Sequence, residues 1–245
     1  MQQNQKADIG IIGAMQIEVE ALCAAMENPV RETVGGVEFC LGDLFGRRVV
    51  CAKCGVGKVF AAMGAQAMIL RYAPDVIVNS GVAGTLTDRL SIGEIALADH
   101  VIQHDMDTSP LGDPVGLISG PNIVYMPTDA AVTDALAACV EAVSVPYVRG
   151  VIASGDRFVA TTGEKSRILS LFDAPATPVI ACEMEGGAIG QVCYTNGVPF
   201  GILRAISDGG NEQSFRDYPT FLAAAARTAT AVMERFVETW TPSGN

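Results

Sequence analysis

Histidine is almost absent: the 245 residues include only His100 and His104. Two imidazoles are too few for a His-rich ligand set, so a zinc enzyme is not expected and neither metal nor cofactor is assigned. Basic side chains are also scarce, 16 against 27 acidic ones, for a formal net charge of −11. Nucleic acid and anionic membrane surfaces both demand a basic face, so neither is expected as a partner; a small neutral or cationic ligand suits the chain better. Long apolar runs are missing too, and the polar residues 1–7 lack the apolar core of a signal peptide, which predicts a cytoplasmic location.

Charged residues make up only 18% of the chain and apolar ones 49%, little for a disordered tail and ample for a large core. One domain over 1–245 is expected, with 1–7 a flexible extension. Seven cysteines, an odd number in apolar stretches, read as reduced core thiols. Cys51 and Cys54 form a CxxC in the strand-like run 49–54, where an offset of three puts them on opposite faces. A redox or metal pair is therefore not expected there.

Along the chain, residues 9–13 form a short apolar strand ended by glycine, and 18–26 carry helical spacing. Residues 36–54 read as a hairpin whose turn is 42–46, followed by a helix over 58–72 closed by Pro74. The apolar strand 76–79 runs into Ser80-Gly81-Val82-Ala83-Gly84, read as a ligand-binding loop at a strand's C-terminal end. Residues 105–127, rich in Gly, Pro, Asp and Ser, read as a long functional loop. Strands at 147–153, 179–182 and 200–206 then alternate with helices at 163–172 and 186–194, and a final alanine-rich helix is read over 218–240. That rhythm predicts a mainly parallel sheet with helices on both sides.

Two glycine signals fail as nucleotide motifs. Gly55-Val56-Gly57-Lys58 resembles the end of a P-loop, but the motif's first glycine falls on Ala52 and its Ser/Thr on Val59. Gly10-Ile11-Ile12-Gly13 opens a helix without the full dinucleotide fingerprint.

Carboxylates at strand ends are more informative. Glu18 follows the first strand, Glu183 and Glu185 flank Met184 after the strand at 179–182, and Asp208 follows Ser207. All should gather at one edge of the sheet. In Glu183-Met184-Glu185, one glutamate can point into the cleft while the next lies on the opposite side of the pleat. An inward glutamate accepts two hydrogen bonds at once, which suits a ribose diol. An aspartate at Asp208, shielded by apolar neighbours, can donate a proton to a departing purine.

These segments, with 8–20, 54–59, 74–84 and 154–158, resemble the methylthioadenosine/S-adenosylhomocysteine nucleosidases in order and spacing from Asp8 to Phe236. The resemblance implies the nucleoside phosphorylase fold, a three-layer α/β/α sandwich with a mixed central sheet, and a homodimer with active sites near the interface. It implies that Glu18 is the general base that activates water and Asp208 the acid that protonates adenine at N7, with Ser207 orienting it and Arg204 supporting the site. Glu185, beside Glu183, would bind the ribose hydroxyls, with Met184 packed on the sugar. Phe158 would stack on adenine and the Val159 backbone read its edge, while Met15, Val56, Ala83 and Gly84 complete the binding set. Val82 stands where the family commonly has serine, Leu111 where an aromatic from the neighbouring subunit closes the pocket, and Tyr218 where phenylalanine flanks the 5′ subsite. The expected activity is hydrolysis of the N-glycosidic bond of an adenine nucleoside, an acid and a base dividing the work as in glycosidases.

Three rivals remain open. A phosphorylase of the same fold would need a hydroxyl for phosphate that Val82 cannot supply, and Glu18 would repel the anion. A related hydrolase would take aminodeoxyfutalosine or 5′-deoxyadenosine. A nucleoside-binding protein without turnover would need no acid and base together.

Overall fold

The computed structural model describes residues 6–241, so most of the extension expected over 1–7 lies outside the described residues. Apolar runs become strands wherever they are buried on both faces. In chain order the elements are β1 (Ile9–Gly13), α1 (Gln16–Ala25), β2 (Glu27–Val34), β3 (Val37–Leu44), β4 (Arg47–Lys53), α2 (Lys58–Tyr72), β5 (Val76–Thr85) and β6 (Ile95–Gln103). They continue with β7 (Met126–Pro127), α3 (Ala130–Ala142), β8 (Tyr147–Ser154), α4 (Thr162–Phe172), β9 (Val179–Glu183), α5 (Gly186–Asn196), β10 (Phe200–Asp208) and α6 (Ser214–Thr239).

The strands form one ten-stranded mixed sheet with helices on both sides, as the resemblance implies. β1 lies parallel between β4 and β5, β5 lies parallel to β10, and β8 lies parallel between β6 and β9. β10 also pairs antiparallel with β6, and the end of β5 with β9, so these five strands close into a ring of pairings. At the other end β2 pairs only with β3 and forms the sheet's edge.

Strand alternation sorts the core. Ile12, Ala52 and Ile77 face α2 and α5, while Ile11, Cys51 and Val78 face α1, α3 and α6. Cys51 and Cys54 do fall into different clusters, on opposite faces. Helix α4 covers a smaller third cluster through Ile168 and Phe172. α2 stops where Ala73 takes a left-handed conformation ahead of Pro74.

Several expectations need correction. Ser80 to Gly84 is not a loop: β5 continues through Thr85 with all ten residues buried. Its small residues are there because β10 and neighbouring side chains press close, not because the chain turns. The hairpin turn is only Phe45 and Gly46, both at positive φ (50° and 74°), since β3 runs on through Leu44. α6 begins at Ser214 and contains Pro219, so the proline sits inside a helix that tertiary packing holds together. β2, β6 and α3 were not read from the sequence.

α6 buries Ala225, Ala226, Ala229, Val232, Met233, Phe236 and Val237 at helical spacing. Phe236 is wholly buried and stacks on Trp240 with ring centroids 5.2 Å apart. Phe236→Ala is expected to cost about 3–5 kcal/mol, the usual range for an aromatic core truncation, read as a lowered urea midpoint.

Candidate active site

The carboxylates expected at strand ends do meet. The C-terminal ends of β1, β5, β9 and β10, the residues around Phe158 and the start of α6 surround a pocket holding about 540 Å³ of empty space, solvent at its mouth included. Of the site residues read from the sequence, every one but Leu111 lines it. Leu111 sits in a single 3-10 turn (Ser109–Leu111), 84% exposed and away from this chain's own pocket. Ala14, Arg157 and Cys182 also line the wall and were not singled out; each adjoins a residue that was.

Arg204, in the middle of β10 and 1% exposed, organises the floor. Its Nη2 donates to Asn79 Oδ1 at 2.5 Å, to Glu183 Oε2, and to Glu185 Oε2 at 3.4 Å, while Nη1 donates to the Val82 carbonyl at 3.3 Å. Burial alone would lower its pKa, but Glu183, Glu185 and Glu18 together raise it. Asn79, missed in the sequence because it closes an otherwise apolar run, is itself fixed by donating to the Ile12 carbonyl at 2.8 Å.

Glu18 lies in the first turn of α1 and folds back onto the chain that enters it. Oε2 accepts from the backbone N–H groups of Ala14 (2.7 Å) and Met15 (2.9 Å), and Oε1 from Val82 (3.2 Å). Burial pushes its pKa up, against Arg204 and these three N–H donors. The close approach to β5 requires Gly81: a methyl group there would come within 2.5 Å of both Glu18 Oε1 and Arg204 Nη1.

The two glutamates around Met184 do not take opposite sides of a pleat. β9 ends at Glu183 and Glu185 adopts the N-cap position of α5, so both carboxylates turn onto Arg204. Glu183 is saturated: it accepts from the Glu185 (2.9 Å) and Gly186 (2.7 Å) N–H groups, from Ser154 Oγ and from Arg204. Glu185 accepts from Gly57 N at 2.9 Å, at the N-terminus of α2, and keeps capacity toward the pocket. A second carboxylate, Asp156, accepts from Lys58 N at 2.8 Å, and Lys58 Nζ bonds Asp105 at 2.6 Å. The P-loop-like glycines thus present their helix to carboxylates of this same chain.

Asp208 closes β10, 2% exposed. Ser207 Oγ lies 3.0 Å from its Oδ2, and Gly210 N donates to Oδ1 at 3.0 Å. Gly84 makes room, since a methyl group there would sit 2.8 Å from Oδ1. Across the mouth Phe158 meets Tyr218 edge-on at 5.4 Å, and Tyr218 Oη reaches Met15 Sδ at 3.3 Å.

The sequence profile of the phosphorylase superfamily matches residues 8–238. A methylthioadenosine/S-adenosylhomocysteine nucleosidase of Shewanella sediminis is 38% identical over 230 residues, covering 94% of this chain and 98% of its own. The chain belongs to this nucleosidase family of the phosphorylase superfamily. Among solved structures, the family's enzyme from Neisseria meningitidis in complex with methylthio-immucillin-A superposes with a TM-score of 0.89 at 32% identity, over 94% of this chain and 98% of that one. Futalosine hydrolase of Helicobacter pylori superposes with a TM-score of 0.88 at 30% identity, over 97% and 99%. The three-layer nucleoside phosphorylase-like fold is therefore shared.

Within this family fold the crowded carboxylates leave a thermodynamic trace. Burial raises Glu185 from 4.5 to about 7, opposed by Arg204 and reinforced by Glu183. The folded protein binds this proton more tightly than the unfolded chain, so stability from this group is greatest below pH 4.5 and is lost as pH rises toward about 7. His104, which burial lowers, works in the opposite sense, so the wild-type slope alone is not diagnostic. Melting temperature followed across that window is expected to fall less steeply in Glu185→Gln than in the wild type.

Proposed function

We propose that the chain hydrolyses the N-glycosidic bond of 5′-methylthioadenosine and S-adenosylhomocysteine, releasing adenine and the thio-substituted ribose. The observation that carries this reading is that Glu18, in the first turn of α1, and Asp208, at the end of β10, line one pocket with Glu185. Glu18, its orientation fixed by three backbone N–H groups, takes a proton from water as it attacks the anomeric carbon. Asp208, steadied by Ser207 and Gly210, delivers a proton to adenine N7 as the bond stretches toward an oxocarbenium-like sugar. Glu185 accepts the ribose hydroxyls over Met184, Phe158 stacks on the base, and the Val159 backbone reads its edge. Glu183 and Arg204 hold Glu185 rather than the ligand.

Phosphorolysis is disfavoured by where the donors go. The Val82 N–H serves Glu18, Arg204 serves Glu183 and Glu185, and the first N–H groups of α2 serve Glu185 and Asp156. A phosphate would have to displace a carboxylate at each. Met15, Val56 and Tyr218 offer mostly apolar surface to a small thioether, worth about 25 cal/mol per Å² buried. Val56 is half exposed, so a longer substituent, as in the futalosine hydrolase neighbour, can leave toward solvent.

The same reading makes the chain a cytoplasmic homodimer in methionine salvage. Val56, which lines the pocket, and Val59, Phe60 and Met63 on α2 are exposed, a face for a second copy whose Leu111, by the family resemblance, would close over the 5′ end. Static light scattering should give a dimer in the wild type and a monomer in Val59→Asp/Met63→Asp; a wild-type monomer would remove the partner from the site.

Adenine release should proceed in phosphate-free buffer with free methylthioribose as product. Glu18→Gln should nearly abolish it, and Asp208→Asn should lose at least about 10²-fold in kcat while substrate affinity survives, because an amide cannot pass on a proton. Steady-state rates and binding, with folding checked by melting, decide this. A strict phosphate requirement or near-normal turnover in either variant would overturn the assignment.

A further inference from the structure

Away from the nucleoside pocket, three of the seven cysteines converge. Cys40 on β3 and Cys51 on β4 are direct cross-strand partners, so their side chains leave the hairpin on one face. Helix α1 packs over that face, and Cys23 on it shares the core cluster and lines the same cleft as both. Met26 Sδ closes the group, 3.9 Å from Cys40 Sγ. The three thiols are almost entirely buried, yet all line a second cleft, about 610 Å³ of empty space with its open mouth included.

The surroundings are charged. Arg31 lines the cleft and pairs with Glu20 at 2.8 Å, while Lys53 pairs with Glu38 at 2.8 Å. The hydrogen bond from Cys51, then that from Cys40 and the charge of Arg31, outweigh burial and the repulsion of Glu20 and hold Cys23 at about 7. Cys40 is pushed up to about 12, chiefly by burial, and Cys51 also rises. One thiol is thus ready to ionise beside two proton-bearing neighbours, which is the arrangement of an attacking sulfur with a resolving partner.

We propose that Cys23 and Cys51 form a peroxide-reactive pair, in which Cys23 is oxidised by a hydroperoxide and closes onto Cys51 as an intramolecular disulfide. The Cys23 thiolate attacks the peroxide oxygen; an S–O bond forms, the O–O bond breaks, and the departing oxygen takes a proton to leave as water or an alcohol. The peroxide is reduced by two electrons and Cys23 becomes a sulfenic acid. The Cys51 sulfur then attacks the Cys23 sulfur; the S–S bond forms, the S–O bond breaks, and hydroxide leaves with the Cys51 proton as water. The cross-link ties α1, which carries Glu18, to β4, which leads into the loop before α2.

The test is mass-spectrometric mapping of the folded full-length chain after brief treatment with hydrogen peroxide. The expected product is a Cys23–Cys51 disulfide that a thiol reductant reverses. In Cys51→Ser a dimedone adduct should be trapped on Cys23, and in Cys23→Ser the remaining thiols should oxidise at least about ten-fold more slowly than Cys23 does in the wild type. Cys23→Ala, an apolar replacement, supplies the same comparison should serine disturb the core. Preferential oxidation of any other cysteine, or a disulfide with any other pairing, would overturn the proposal.

Discussion

A full positive charge buried inside a β-sheet must be met by negative charge, and Arg204 is met by Glu183 and Glu185 directly and by Glu18 across Gly81. Removing one partner of such a buried set typically costs about 3–5 kcal/mol, because the charge left behind keeps its desolvation penalty. The guanidinium therefore fixes more than itself. Glu183 uses its remaining lone pairs to start α5 and to hold Ser154, Glu185 uses one to start α2, and Glu18 holds the entry to α1. Three helix starts are thereby referred to one cation, and the carboxylates bound to these starts inherit their positions from it.

The sheet makes this crowding feasible by giving up side chains. A methyl group at Gly81 would come within 2.5 Å of Arg204 and Glu18, and one at Gly84 within 2.8 Å of Asp208, which is why a stretch composed like a loop is a strand. Composition is read locally, whereas close approach is set by residues more than a hundred positions away, Arg204 and Asp208 among them. That is the physical reason the sequence misled at β5.

Other parts were legible for the same reason turned around. Strands ending in glycine or a carboxylate, helices with regular apolar spacing and the stop at Pro74 depend on near neighbours, and these placed Glu18, Glu185, Ser207 and Asp208 at the pocket. The division between Glu183 and Glu185 was not legible, because it rests on where a strand hands over to a helix cap. Leu111 was read through the family resemblance and lies outside this chain's pocket. The meeting of Cys23, Cys40 and Cys51 depends on hairpin register and on how α1 lies across it, and the visible CxxC pointed elsewhere.

The edge strand β2 has a bearing on how the protein survives at high concentration. A sheet closed into a ring at one end still has a free row of backbone donors and acceptors at the other, and such a row can template growth into fibrils. β2 is largely exposed and carries Pro29, which offers no donor, together with Glu27, Arg31 and Glu32. Another strand docking there would find no donor at the proline and would have to desolvate charged groups, among them the Arg31–Glu20 and Glu32–Arg71 pairs, so the open edge is defended against aggregation by its own composition.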